Sequence, residues 1–296
     1  MKSPRIYDEP VREHYDHVAE VNGLSPASTM ADEIVRDKET RVILEFVEQV
    51  SQNLWYDALY NGTEAERPQE QHGAHVIDVG CGNGYTLNRL ATHLTPFSYT
   101  GVEFNAKLLS LASQQVNGLS NARVISGDLR DRASIALADA TADVVVCQRV
   151  LINLLESRDQ RLALNNIISL VRPGGYLLFI EAFQQGLANL NDARCQFGLL
   201  PIEAAVHNCY LAEGFFNHDQ LSTVSGPGVP PANLLSTHYY VSRVLHDVLQ
   251  KSLAITGVER NSHFVRFMSS ALPDGIGNYS PIQIHCFKKA FKEHQA

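Results

Sequence analysis

The chain has 296 residues, 45% of them apolar, enough to build one large core or two smaller ones. Its 24 Lys and Arg stand against 32 Asp and Glu, a net charge of −8 with no dense basic block, which argues against a dedicated nucleic-acid binder whose affinity rests on neutralising phosphates. No leader-like apolar stretch opens the chain, no window reaches the roughly 18 uncharged apolar residues of a membrane span, and the five scattered cysteines form neither a zinc spacing nor a C-x-x-C pair. A cytoplasmic protein with reduced thiols and no bound metal is expected.

In chain order, the first expectation is an N-terminal helical cap over residues 1–60. Met30, Ile34, Val35, Ile43, Phe46, Val47 and Val50 recur at near-helical spacing, and Thr29 with Asp32 has the form of a capping box. The stretch NGTEAERPQEQH, residues 61–72, reads as a surface loop. Five short apolar runs follow within residues 72–183: AHVIDVG, YTGVEF, ARVISGD, ADVVVCQ and YLLFIEAF. Amphipathic stretches at 86–92, 106–117, 133–138 and 160–171 separate them, so strand and helix alternate as in an α/β, doubly wound, mostly parallel sheet. Residues 184–278 read as an inserted, substrate-facing region with a turn at SGPGVPP, and 279–296 as a last strand, at 281–288, with a C-terminal tail.

The sharpest local signal is Val76–Gly84, VIDVGCGNG, where a strand ends in a glycine turn that opens a helix. Glycine is needed where a ligand must approach the backbone or where φ is positive, and the helix N-terminus supplies unpaired N–H groups. The spacing is G-x-G-x-G at Gly80, Gly82 and Gly84, whereas a dinucleotide fingerprint needs G-x-G-x-x-G and a phosphate loop ends in G-K-[ST]. Asp78, just before the turn, favours a cationic ligand. Glu103 ends the second strand where an acid binds ribose hydroxyls in nucleotide-binding βαβ units, and Asp128 ends the third, with the Leu129 N–H beside it. Three carboxylates on consecutive strand ends describe an ammonium, a ribose and an adenine. Cys81 reads as a small space-filler within the turn.

On VIDVGCGNG, GVE at 101–103, SGDL at 126–129 and VRPGGYLLFIE at 171–181, the chain resembles the class I S-adenosylmethionine-dependent methyltransferases. The resemblance covers at least residues 75–182 and implies a Rossmann-like fold with S-adenosylmethionine as cofactor, held by Asp78, Gly80, Cys81, Gly82, Gly84, Glu103, Asp128, Leu129 and Gln148. Outside that core, GLSPASTM, RVLINL, HNCYLAE, HYYVSRVL and GNYSPIQI look like a bacterial subgroup associated with surface polysaccharides and other glycans. A small-molecule or glycan acceptor is the implied partner. The helix after Pro26 is expected to act as a lid, with Tyr15 and Met30 as contacts.

An acceptor would sit past the strand ends. Arg149 and Asn153 follow the fourth strand and Glu181 ends the fifth; Gln185, Arg194, Asn208 and Tyr210 supply polar groups beyond it. Methylation of a hydroxyl is the expected reaction, with His207 as its general base and His238 and Tyr239 behind it. For a phosphate or carboxylate acceptor no base is needed, and Arg149 and Arg194 would hold the anion. An amine acceptor would need Glu181 and Glu213 around it. A nucleoside-binding partner subunit without chemistry is the reading from another class.

Overall fold

The computed structural model describes residues 8–28, 30–61, 74–226 and 228–291. Thr29, most of the expected surface loop and the last five residues lie outside them.

One seven-stranded sheet organises the chain, in the order β3-β2-β1-β4-β5-β7-β6. β1 (His75–Val79), β2 (Ser98–Glu103), β3 (Ala122–Ser126), β4 (Ala142–Gln148) and β5 (Val171–Ala182) are parallel, while β7 (Ile282–Lys289) runs antiparallel to β5. This is the Rossmann-like α/β architecture expected. The order reverses between β1 and β4 relative to β1 and β2, and ligands bind beyond the strand ends at such a switch point. Val76, Ile77, Val144, Val146, Leu177 and Phe179 are almost wholly buried, as continuous apolar strands covered on both faces require.

Helices cover the sheet: α3 (Tyr85–His93), α4 (Ala106–Gln115) and α5 (Ser157–Leu170) in the crossovers, and α2 (Glu33–Asn61) against β4, β5 and α3. The apolar stripe of α2 is buried through Val35, Ile43, Phe46, Val47 and Val50. α1 (Glu9–Asn22) lies against α4.

One local expectation is corrected. Residues 133–138 form no helix; one 3-10 turn, Arg132–Ser134, stands there, stitched by the Arg132 guanidinium to the carbonyls of Ile135 and Leu137. The Pro-Gly-Gly at 173–175 lies inside β5, in a register shift that carries the pairing from Ala142–Val171 to Val144–Tyr176. β6 (Leu221–Thr223), paired with β7, is too short to leave a periodic pattern. After β5 come α6 (Gln184–Gln196), α7 (Ser236–Tyr240), a π-helical turn (Val241–Leu245), α8 (His246–Leu253) and α9 (His263–Ala271).

Asp32, read from the sequence as the far end of a capping box, is itself the cap of α2: its Oδ1 accepts the Val35 N–H at 3.3 Å. Its Oδ2 receives His238 Nε2 at 3.1 Å and Arg243 Nη2 at 3.0 Å. Burial opposes the charge, but the hydrogen bond from His238 and the charges of His238 and Arg243 win, holding the Asp32 carboxyl well below the usual carboxylate range. His238 is fully buried between Asp32 and Ser269, so the second-choice base is a structural tie. Asp32→Ala removes the cap and strands two buried partners, and should cost about 3 kcal/mol or more in thermal melts at pH 7. A carboxylate depressed in the folded state stabilises above its unfolded pKa of roughly 3.9 and loses that contribution as pH falls, so the gap between wild type and variant should narrow at pH 3.

Candidate active site

The glycine turn is held from below by β2, where Gly80 N–H and Cys81 N–H both donate to the Val102 carbonyl, at 2.7 and 3.1 Å. Gly80 has φ +66°, and a Cβ there would stand 2.4 Å from Val150 Cγ2, so only glycine fits. Glu103 braces the same turn: its Oε2 accepts the Gly82 N–H at 2.8 Å and its Oε1 the Asn105 N–H at 2.7 Å. Asn105 caps α4 through Lys107 N–H and Leu108 N–H, and its Nδ2 donates to Asp16 Oδ1 of α1 at 2.7 Å. Asn83 Nδ2 reaches the carbonyls of Gly23 and Ser25, both at 3.0 Å, fastening the chain after α1 to the turn.

These groups enclose a cavity of about 1100 Å³, counting the space open to solvent. Asp78, Gly80, Cys81, Gly82, Glu103, Asp128, Leu129 and Gln148 all line it, as do Arg149 and Asn153. Gly84 does not. It starts α3 with φ +79°, and a Cβ there would meet Ala112 Cα at 2.9 Å, so its work is helix packing.

Asp78 is buried and its Oδ2 has no hydrogen-bond partner among the described residues. Burial, reinforced by the Glu103 charge and opposed by Arg36, pushes its carboxyl up to about 7; burial likewise pushes Glu103 up to about 7 against the backbone N–H groups of Asn105 and Gly82. Burial raises the Cys81 thiol far above its ordinary value, so it is no nucleophile. Arg36 of α2 also lines the cavity, donates to the Pro26 carbonyl at 3.1 Å and sits over the Tyr85 ring. At the β3 end both Asp128 oxygens are taken by Arg130, at 2.8–3.2 Å, and Arg130 continues to Asp8 before α1 at 2.8 Å.

The acceptor candidates divide. Glu181 is turned inward, receiving the N–H groups of Val150 and Leu151 at 2.9 Å and Ile152 at 3.3 Å; it fixes the loop after β4 and lies outside the cavity wall. Arg149, at φ +56°, is anchored by its N–H to the Ile180 carbonyl and by its guanidinium to buried Glu39. Arg194 is spent on Asp247 and the carbonyls of Leu200 and Arg243. Gln185 pairs with Asn189, the Asn208 N–H with Ala205, and Tyr210 offers its carbonyl to Gln184. His207 stacks on His14 of α1, with ring centroids 3.6 Å apart, and burial with the His14 charge lowers it to about 4. None of the described residues of 184–278, His207 included, lines this cavity. Met30 packs on the core instead of the cavity.

Tyr15, named from the sequence, lines the cavity with its Oη accepting from Asn153 Nδ2 at 2.8 Å, and beside it stand Asp8, Val11 and Arg12, on the face of α1 and its N-cap turned to the cavity. Periodicity alone does not find these three; Asp8, for one, meets its partner, Arg130, across 122 residues of the chain.

Residues 70–203 match the family model described as a methyltransferase domain. That stretch, a little under half of the chain, is similar to a methyltransferase domain. Arsenite methyltransferase of Aquipseudomonas alcaligenes is 32% identical over 43% of this chain and 38% of its own length. A fatty-acid O-methyltransferase of Mycolicibacterium smegmatis is 30% identical over 42% of each, so the chain spans less than half of these relatives' length. The fold is shared with geranyl diphosphate methyltransferase in complex with its diphosphate and sinefungin, at a TM-score of 0.51, 10% identity, 96% of this chain and 98% of that one.

S-adenosylmethionine, the cofactor that the sequence resemblance implies, would supply an activated sulfonium methyl. The cavity fits it: the unpartnered Asp78 oxygen suits an ammonium, Arg36 a carboxylate, and Glu103 keeps lone pairs for ribose hydroxyls. A cation beside Asp78 requires the ionised form, so affinity for S-adenosylhomocysteine should rise with pH through 7 and level off near pH 8. Below pH 7 it should fall toward tenfold per pH unit for each carboxylate that must ionise, and Asp78→Asn should flatten its share in calorimetry from pH 6 to 8.5.

Proposed function

We propose that the chain transfers the methyl group of S-adenosylmethionine to an oxygen of a small-molecule acceptor. The observation that carries this is the series Asp78, Glu103, Asp128 on three neighbouring strand ends, facing one cavity together with the loop 148–154 after β4. The relatives described as O-methyltransferases of a fatty acid and of ubiquinone biosynthesis support oxygen as the receiving atom. An amine acceptor is less well served, because Glu181 is committed to backbone N–H groups and Glu213 is exposed outside the cavity. The strings that suggested a glycan acceptor fall outside the cavity wall, apart from RVLINL at 149–154.

Binding energy in such an enzyme goes into aligning the acceptor in line with the S–CH3 bond and keeping water out. Tyr15, Val11 and the loop 149–154 form the wall where that alignment would be made. The test is release of S-adenosylhomocysteine from labelled S-adenosylmethionine in the presence of a small-molecule extract of the source cells, with mass identification of the labelled product. Extract-dependent turnover that Gly80→Ala abolishes is expected. Tight S-adenosylhomocysteine binding without turnover in any extract would favour the reading as a nucleoside-binding partner subunit.

A further inference from the structure

Across the cavity from β3, the wall behind β4 consists of Arg149, Val150, Asn153 and Leu154, faced by Val11 and Tyr15 of α1. Asn153 Nδ2 places its two hydrogens on Tyr15 Oη, at 2.8 Å, and on the Arg149 carbonyl, at 2.7 Å. The Tyr15 oxygen therefore accepts, and its own hydrogen meets no acceptor among the described residues. Burial pushes the Tyr15 phenol up, with the Arg149 charge opposing, so it acts as a donor and not as a base near neutral pH.

No base faces this wall among the described lining residues. Asp8 and Asp128 are held by Arg130, Asp78 and Glu103 stand at the cofactor ends of β1 and β2, and no histidine lines the cavity. A hydroxyl or an ammonium would arrive carrying a proton that nothing there removes. A carboxylate arrives without one. The adjacent charge is positive, from Arg149, answered in part by Glu39 behind it.

We propose that the acceptor is the carboxylate of a small organic acid, oriented by the Tyr15 hydroxyl and the Arg149 charge, and that the product is its methyl ester. This rests on the methyltransferase reading above. One carboxylate oxygen forms the new O–CH3 bond with its lone pair while the S–CH3 bond breaks and leaves its electron pair on sulfur. The negative carboxylate and the positive sulfonium become a neutral ester and a thioether, and no proton moves. Tyr15 O–H donates to the second carboxylate oxygen, turning the first toward the methyl group.

Calorimetry on the full chain tests this in two stages. S-adenosylhomocysteine is titrated first; failure to bind overturns the methyltransferase reading and this inference with it. The saturated complex is then titrated with hexanoate, 1-hexanol and hexylamine, which share one apolar body. Hexanoate should bind at least about tenfold more tightly than the other two, the worth of a hydrogen bond to a charged group. Tyr15→Phe, titrated with S-adenosylhomocysteine first to show that the variant still takes the ligand, should erase most of that preference. Equal or tighter binding of the alcohol or the amine, binding of none of the three, or a preference that survives in Tyr15→Phe would each overturn the proposal with the methyltransferase reading intact.

Discussion

The buried carboxylate of Glu103 is the joint on which the site hangs. One oxygen fixes the Gly82 N–H of the glycine turn and the other the Asn105 N–H at the start of α4. Asn105 then caps α4 with its oxygen and reaches Asp16 of α1 with its nitrogen. Turn, crossover helix and N-terminal helix thus share one anchor. Burying such a carboxylate is unfavourable unless hydrogen bonds offset it, and the two N–H groups do so while leaving lone pairs for a diol.

The second half of the site comes from the N-terminal helices. Arg130, almost buried, bridges Asp128 to Asp8, so the end of the cavity that would read an adenine is tied to the start of α1. Asn83 ties the other end of α1 to the glycine turn. Between those ties α1 presents Val11 and Tyr15 to the loop after β4, whose backbone is pinned by Glu181. This division of labour explains why the acceptor wall offers donors and a positive charge: Glu181 is taken by backbone N–H groups, and Glu39 by the Arg149 and Gln148 side chains.

Much of the sheet and the cofactor side could be read from the sequence because those signals are local. A strand, a glycine turn and an acid at each of the next two strand ends are recorded within a few residues of one another, and β1, β2, β3, α3 and α4 follow from them. On the acceptor side the position of Arg149 and Asn153 after the fourth strand is recorded locally, but their partners are not. Tyr15 meets Asn153 across 138 residues, and Glu39 meets Arg149 across 110. His207 looked like a base because imidazole titrates near neutrality; burial, with His14 stacked on it in a contact no periodicity encodes, lowers its basicity. Arg194 looked like an anion clamp, but Leu200, Arg243 and Asp247 already take its Nε and Nη1.

That α1 is a wall of the binding site, and not merely a helix resting on it, is tested most directly by hydrogen exchange with and without S-adenosylhomocysteine. If ligand is enclosed between the glycine turn and α1, the amides of residues 9–22 should slow together with those of 80–84. Slowing confined to 80–84, with 9–22 exchanging as before, would contradict it.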